Sequence, residues 1–249
     1  MFSGKIAIVT GGGSGIGRST ALALARNGAE VIILGRTKDK LIETAELAKK
    51  ENLSIYYEVC DVSESGQVED FFKKLSEDEK CPDIIVNCAG VINVLKADGS
   101  LDDKSVLLVN VLGMMNICEN AIKKIIEGGK KGTIVNIASI AGHDGNSEFP
   151  SYAASKGAVL AYTKSIAKLY GCKGIRVNSI SPGVILTPMS YIETPNFDDY
   201  IPQLIQMHPL GRIGNPMDIA KVIMFLASEQ SDFITGQDII VDGGYTLRE

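Results

Sequence analysis

Seven short runs of apolar and β-branched residues alternate with longer helix-like stretches along this 249-residue chain, and that alternation limits its fold more than any other feature. The short runs are Ile6–Thr10, Val31–Leu34, Ile55–Val59, Ile84–Asn87, Thr133–Ile137, Arg176–Ile180 and Asp238–Val241. Between them, helical stretches lie near 16–27, 38–51, 64–77, 102–127, 151–171 and 216–228. Strands of four to six residues joined by crossover helices require a parallel sheet covered on both faces. Such strands are apolar throughout, as Ile6-Ala7-Ile8-Val9 is. No linker or low-complexity tract divides the chain. The expectation is one α/β domain over 1–249, a doubly wound parallel sheet of about seven strands with helices on both faces. One long irregular region, about 184–215, contains Pro188, Pro195, Pro202, Pro209 and Pro216. It follows the carboxyl end of a strand, where open α/β sheets bind ligands, and reads as a substrate lid with a short helix near 197–206.

The first strand runs directly into Thr10-Gly11-Gly12-Gly13-Ser14-Gly15-Ile16-Gly17-Arg18, and a helical pattern follows. Glycines at such a turn let the backbone bend sharply and approach a pyrophosphate, which the next helix stabilises through its free N–H groups and dipole. Gly11, Ser14, Gly15, Ile16 and Gly17 are therefore expected to contact a dinucleotide. Their spacing, G-x-x-x-G-x-G, makes a longer turn than G-x-G-x-x-G. About 20 residues on, an NAD site often carries a carboxylate for the ribose 2′-hydroxyl. Here the chain has Leu34-Gly35-Arg36-Thr37-Lys38. Arg36 can grip a 2′-phosphate, so NADP(H) is expected over NAD(H); the competing reading is an Arg stacked on adenine or simply solvated.

Tyr152 and Lys156 lie four residues apart in Ser151-Tyr152-Ala153-Ala154-Ser155-Lys156. On a helix that spacing puts both side chains on one face. A phenol with an ordinary pKa of about 10 is a poor base at neutral pH, and a nearby ammonium lowers that value. The pair can thus pass a proton to or from an alcohol or ketone. Taken alone, such a pair is often surface decoration.

Together these residues make the chain resemble the classical branch of the short-chain dehydrogenase/reductase family over essentially its whole length. The resemblance rests on the T-G-x-x-x-G-x-G loop of Thr10–Gly17, on Asn87-Cys88-Ala89-Gly90, on Asn110 and Ser139, on Tyr152 with Lys156, and on Pro182-Gly183. One departure is Cys88, where the family has a second Asn. The resemblance implies a Rossmann-type fold and a catalytic set of Asn110, Ser139, Tyr152 and Lys156. It implies that Asp61 and Val62 contact adenine, and that Asn87, Ala89 and Gly90 line the adenosine-ribose side. Pro182, Gly183, Ile185 and Thr187 are expected to hold the nicotinamide carboxamide, Lys156 the ribose hydroxyls beside it. The implied activity interconverts a secondary alcohol and a ketone by hydride transfer. Negative charge then develops on oxygen, which Ser139 can stabilise by a hydrogen bond and Tyr152 can protonate. Asn110 is expected to fix a water that links Lys156 to solvent. For Asn110 the plain alternative is a helix-packing amide, and for Ser139 a strand-end cap.

The substrate stays open. Met189, Tyr191, Ile192, Phe197, Tyr200, Ile201, Leu204, Ile205 and Met207 suit a partly apolar compound, or pack the lid down. A 3-oxoacyl thioester on an acyl carrier is one reading, with Lys130, Lys131 and Lys173 meeting an acidic carrier; a free ketone, sugar or polyol is the other. His143 borders the pocket or is an ordinary loop residue. A non-catalytic NADP-sensing protein is the alternative of another class, disfavoured by the intact proton-transfer set. The resemblance further implies a homotetramer or homodimer built through the helices at 102–127 and 151–171 and the last strand.

Several classes are disfavoured. A net charge of -5 argues against nucleic acid, which needs clustered Lys and Arg. With two histidines, no C-x-x-C and no H-E-x-x-H, no metal is expected, and no G-x-S-x-G elbow marks a hydrolase. Cys60, Cys81, Cys88, Cys118 and Cys172 read as reduced thiols packed as small hydrophobes. No apolar run nears the roughly 18 residues of a spanning helix, and the N-terminus lacks the pattern of a secretory leader. No membrane association and a cytoplasmic location are expected.

Overall fold

The computed structural model describes residues 1–92, 102–193 and 196–247; Pro195 of the lid region lies outside them. The strands are β1 (Ile6–Thr10), β2 (Glu30–Gly35), β3 (Ile55–Val59), β4 (Ile84–Asn87), β5 (Gly132–Ile137), β6 (Ile175–Pro182) and β7 (Asp238–Val241). They form one parallel sheet in the order β3-β2-β1-β4-β5-β6-β7. The strand order reverses between β1 and β4, and at that point a doubly wound sheet opens a crevice at the carboxyl ends of its strands.

The helices are α1 (Gly15–Arg26), α2 (Lys38–Lys50), α3 (Ser65–Glu77), α4 (Asp103–Leu107), α5 (Met114–Glu127), α6 (Ala141–Asp144), α7 (Pro150–Tyr170), α8 (Pro188–Glu193), α9 (Phe197–Gln206) and α10 (Pro216–Ala227). Successive residues of a strand point to opposite faces, so each strand serves two cores. Ala7 and Val9 of β1 pack with Leu24, Leu41 and Ile223 beneath α1, α2 and α10. Ile8 packs with Phe72, Ile117, Ile125 and Val159 beneath α3, α5 and α7. This is why the strands needed to be apolar on both sides. The region 184–215 is more ordered than expected: it holds α8 as well as α9, and Ile185 bridges Gly214 in parallel.

The helix expected over 102–127 is not uniform. Between α4 and α5 the turn Leu108–Gly113 is a π-helix, and Asn110 lies within it. Such widened turns occur often at functional sites. As one run, Asp103–Glu127 has a mean hydropathy of 1.4 over its most apolar 18 residues, half of them buried. It is thus apolar and long enough to cross a membrane by composition, correcting the expectation that no run approaches that length. In the fold its apolar residues, Val109, Ile117, Ala121 and Ile125 among them, are core. The cysteine expectation also needs correction. All five thiols are free; Cys60 and Cys118 are buried, Cys81 and Cys88 half-buried, and Cys172 is exposed.

A buried polar chain underlies the centre of the sheet. Asn87 Nδ2 donates to Asn136 Oδ1 at 2.9 Å, and Asn136 Nδ2 donates to Thr163 Oγ1 of α7 at 2.9 Å. Asn136 is fully buried. Asn136→Ala is expected to leave Thr163 without this donor and Asn87 Nδ2 with only its contact to Cys118 Sγ at 3.3 Å, and to lower unfolding stability by about 3 kcal/mol, measured by urea denaturation. A loss under about 1 kcal/mol would show that the amides find other partners.

Candidate active site

The loop between β1 and α1 depends on glycine at two close contacts. A Cβ at Gly11, whose φ is +66°, would stand 2.9 Å from the Cys88 and Ala89 backbone that follows β4. A Cβ at Gly17 would run into the carbonyl oxygen of Gly11. Thr10 Oγ1 accepts from Ala89 N at 3.0 Å and ties the two strand ends together. Ser14, the N-cap of α1, makes no side-chain capping bond, so the first-turn N–H groups of that helix face the crevice unspent. This cradle fits the pyrophosphate of a dinucleotide: bare backbone, no side chain in the way, donors and a helix dipole aimed outward.

From this loop a cleft of about 890 Å³ extends along the strand ends, lined by Ser14, Gly15, Cys88, Gly90, Ser139, Tyr152, Lys156 and Thr187 among others. Gly11, Ile16, Gly17, Pro182, Gly183 and Ile185 line it too. Tyr152 is half-buried on the first turns of α7. Lys156, one turn on, is 5 % exposed, with Nζ 5.5 Å from the centre of the Tyr152 ring and donating to Ile137 O at 2.8 Å. Burial pushes its pKa down from 10.5 to about 8, since a charge in a poorly hydrated site is disfavoured. Ser139 follows β5; its Oγ accepts from Ala141 N at 3.2 Å, and a hydroxyl accepting there still has its proton to donate.

Asn110 spends its amide on the protein itself, just behind the cleft wall at Gly90. Its Oδ1 accepts from Val91 N at 2.8 Å, and its Nδ2 donates to Val91 O at 2.9 Å and to Ser155 Oγ at 3.0 Å. Ser155 Oγ in turn donates to Tyr152 O at 2.7 Å. The amide therefore clamps the segment after β4 to α7, with its Oδ1 and Lys156 Nζ both beside Gly90. Ser155 was missed in the sequence, although a serine three residues after Tyr152 and beside Lys156 was a visible signal.

Other expected contacts divide. Asn87 is turned into the polar chain beneath the sheet and Ala89 is not among the lining residues, whereas Cys88 and Gly90 line the cleft. Desolvation at the cleft wall raises the half-buried Cys88 thiol to a pKa of about 12 despite the nearby Lys156, so it stays a protonated, unreactive thiol. Arg36, Asp61 and Val62 follow β2 and β3, beyond the residues that line the cleft. Arg36 Nη1 is 3.8 Å from Asp61 Oδ2, with the guanidinium more than half exposed. Asp61 Oδ1 accepts from Ser63 N and Oγ. Val62 is buried, its carbonyl accepting from Asn116 Nδ2 at 3.0 Å.

The far wall was only partly legible. His143, on α6, holds Asp238 Oδ2 at 2.8 Å through Nε2, so it latches the segment after Ser139 to β7. Asp242 Oδ1 accepts from Gly244 N, and Oδ2 accepts from Thr246 N and Oγ1, folding Tyr245 and Thr246 back to line the cleft. Lys130 and Lys131 immediately precede β5 and Lys173 precedes β6, so they stand at the amino ends of the strands, opposite the cleft.

A glycine cradle at a helix N-terminus, opening into a cleft with a tyrosine, a buried lysine and a serine, defines a dinucleotide-dependent oxidoreductase. Comparison with known proteins narrows the class. The family model described as enoyl-(acyl carrier protein) reductase matches residues 11–246. The 3-oxoacyl-(acyl-carrier-protein) reductase FabG of Chlamydia pneumoniae is 36% identical over 98% of this chain and 97% of its own. Glucose 1-dehydrogenase of Gluconobacter oxydans (strain 621H) is 38% identical over 99% of this chain and 93% of its own. A crystal structure of a short-chain type dehydrogenase/reductase from Mycobacterium marinum superposes with a TM-score of 0.90 at 33% identity, covering 99% of this chain and 97% of that one. The chain belongs to the classical short-chain dehydrogenase/reductase family, oxidoreductases that act on alcohols and ketones with NAD(P)(H).

Proposed function

We propose that this protein interconverts a ketone and a secondary alcohol, with NADP(H) favoured over NAD(H), through Ser139, Tyr152 and Lys156, positioned by Asn110. The observation that carries the reading is that Ser139, Tyr152 and Lys156 line one cleft with the glycine cradle. What the nicotinamide supplies when bound is a hydride to the carbonyl carbon, or its acceptor in reverse. Ser139 holds the carbonyl oxygen by donating its hydroxyl proton, a role compatible with its acceptor side already being used by Ala141 N. Tyr152 gives its phenolic proton to that oxygen, or takes one from the alcohol. Lys156 stabilises the phenolate left behind, and its depressed pKa lets it exchange a proton near neutral pH. Asn110 and Ser155 hold α7 in register against the segment after β4, so the ring cannot drift from Ser139. Turnover of a panel of carbonyl compounds and alcohols with each nicotinamide cofactor tests the reading; no turnover of any of them defeats it.

The cofactor preference rests on Arg36. Its pairing with Asp61 is long and exposed, which is worth little, so the guanidinium can turn to a 2′-phosphate at small cost. Arg36→Ala is expected to lower the NADPH/NADH ratio of kcat/KM about tenfold or more. An unchanged ratio defeats the preference and leaves the activity standing. We also propose a single domain and a cytoplasmic homotetramer or homodimer. Exposed Leu107, Leu112 and Leu169 on the long helices, and Phe233, Ile240 and Leu247 around β7, are the apolar surfaces such contacts would cover. Light scattering on the purified protein decides the oligomer.

A further inference from the structure

We infer that the substrate is an uncharged, amphipathic hydroxyketone or the corresponding alcohol, taken up free in solution, and that Asp144 and Glu148 select against anionic carbonyl compounds. The inference rests on the oxidoreductase reading above and names the substrate of the same site.

Once the glycine cradle and the Pro182–Thr187 segment are assigned to the dinucleotide, two unlike walls remain for the substrate. One is apolar: Met189, Phe197, Leu204 and Tyr245. The other is polar and acidic: Asp144, Asn146, Ser147 and Glu148, on the segment that leads from Ser139 to Tyr152. That segment is built. His143 anchors it to Asp238 at 2.8 Å, and Asn146 Oδ1 accepts from Glu148 N at 2.9 Å and from Phe149 N at 3.0 Å. Carboxylates accept hydrogen bonds from substrate hydroxyls and repel a phosphate or carboxylate.

Among the described residues lining the cleft, no exposed cation offsets them. Lys156 is the one cation among those residues, and its Nζ is buried beneath Tyr152 with a bond to Ile137 O. A substrate tethered to an acidic carrier arrives on a phosphate-bearing arm, which would have to pass Asp144 and Glu148. Within one subunit, the basic residues Lys130, Lys131 and Lys173 stand at the opposite end of the sheet from this cleft. The length of β5 alone separates the two ends, about 20 Å for a strand of six residues. The apolar wall meanwhile covers the carbon skeleton. An uncharged compound with hydroxyls on one side and hydrocarbon on the other satisfies both walls.

The test uses three ketones sharing one carbon skeleton and ending in a hydroxymethyl, a carboxylate or a trimethylammonium group, assayed with NADPH at low and high salt. For the native enzyme the carboxylate is expected to show a kcat/KM about tenfold below the hydroxymethyl compound at low salt, with the gap shrinking as salt screens the rim. In the double variant Asp144→Asn with Glu148→Gln the same ratio is expected to rise about tenfold. Equal kcat/KM for the carboxylate and hydroxymethyl compounds in the native enzyme overturns the inference, as does a gap that neither salt nor the double variant changes. Turnover confined to acyl thioesters on a carrier protein overturns it while the oxidoreductase reading stands. No turnover of any carbonyl compound overturns both.

Discussion

Replacing Tyr152 by Phe is expected to lower kcat about a thousandfold or more while the affinity for NADPH, followed by fluorescence titration, changes less than about twofold. The ring keeps its place, because its packing against Lys156, 5.5 Å from its centre, does not involve the hydroxyl. What disappears is the proton that must reach the carbonyl oxygen, a contribution typically worth two to four orders of magnitude. Ser139 cannot replace it: a serine hydroxyl can hold the oxygen but yields its proton far less readily than a phenol beside an ammonium. If the variant keeps a tenth of native turnover, the tyrosine is not the acid and the mechanism above fails.

Lys156→Met is expected to move activity and stability in opposite directions. Turnover should fall at least a hundredfold, because the phenolate loses the charge that stabilises it. Stability should rise. The folded-state pKa of Lys156 is depressed from 10.5 to about 8 by burial. Below about pH 8 the lysine is protonated in both folded and unfolded chains, and the folded state bears the full cost of a buried charge. Between about 8 and 10.5 the unfolded chain binds the proton that the folded one has released, so native stability rises with pH through this window and then levels off. A depression of this size corresponds to about 3 kcal/mol, of which roughly 1 is returned when methionine forgoes the bond to Ile137 O. The methionine variant should therefore be about 2 kcal/mol more stable than the native protein at pH 7; the difference should pass through zero at about pH 9.5 and reverse to about 1 kcal/mol in favour of the native protein toward pH 10.5. Denaturant titrations of both proteins at pH 7 and pH 10 check this. A variant that is less stable at pH 7, or a difference independent of pH, shows that the amine is better solvated than its burial suggests. The same titration predicts that native kcat for ketone reduction declines above about pH 8, as the ammonium is lost.

The strand pattern was readable because both faces of a parallel sheet are covered. Ala7, Ile8 and Val9 could be apolar in succession only if each faced a core, and the structure gives them two. The glycine cradle was readable because backbone crowding at Gly17 admits no side chain, whatever surrounds it. Less local features were harder. The π-turn at Leu108–Gly113 leaves no mark in a run that is apolar and helix-forming on both sides. Asn87 and Asn136 look like ordinary strand-end amides until β4 and β5 are laid side by side at that register, Asn87 opposite Asn136. The basic residues Lys130, Lys131 and Lys173 looked available to a partner of the site because a sequence does not say which end of a strand a charge occupies relative to a cleft; the winding of the chain does.

By itself, then, the order of residues determined what is set by steric demand and by periodicity: a parallel αβ layering, a phosphate-binding turn, and a tyrosine and lysine on one helical face. These follow from interactions between residues close along the chain, so they can be read in one dimension. Only the folded molecule decided that Asn110 clamps the segment after β4 to α7, that burial strips Lys156 of much of its basicity, and that two carboxylates and a C-terminal turn line the cleft. Each of those depends on which distant segments meet and on how much water they exclude, and neither is defined until the sheet has closed over its helices.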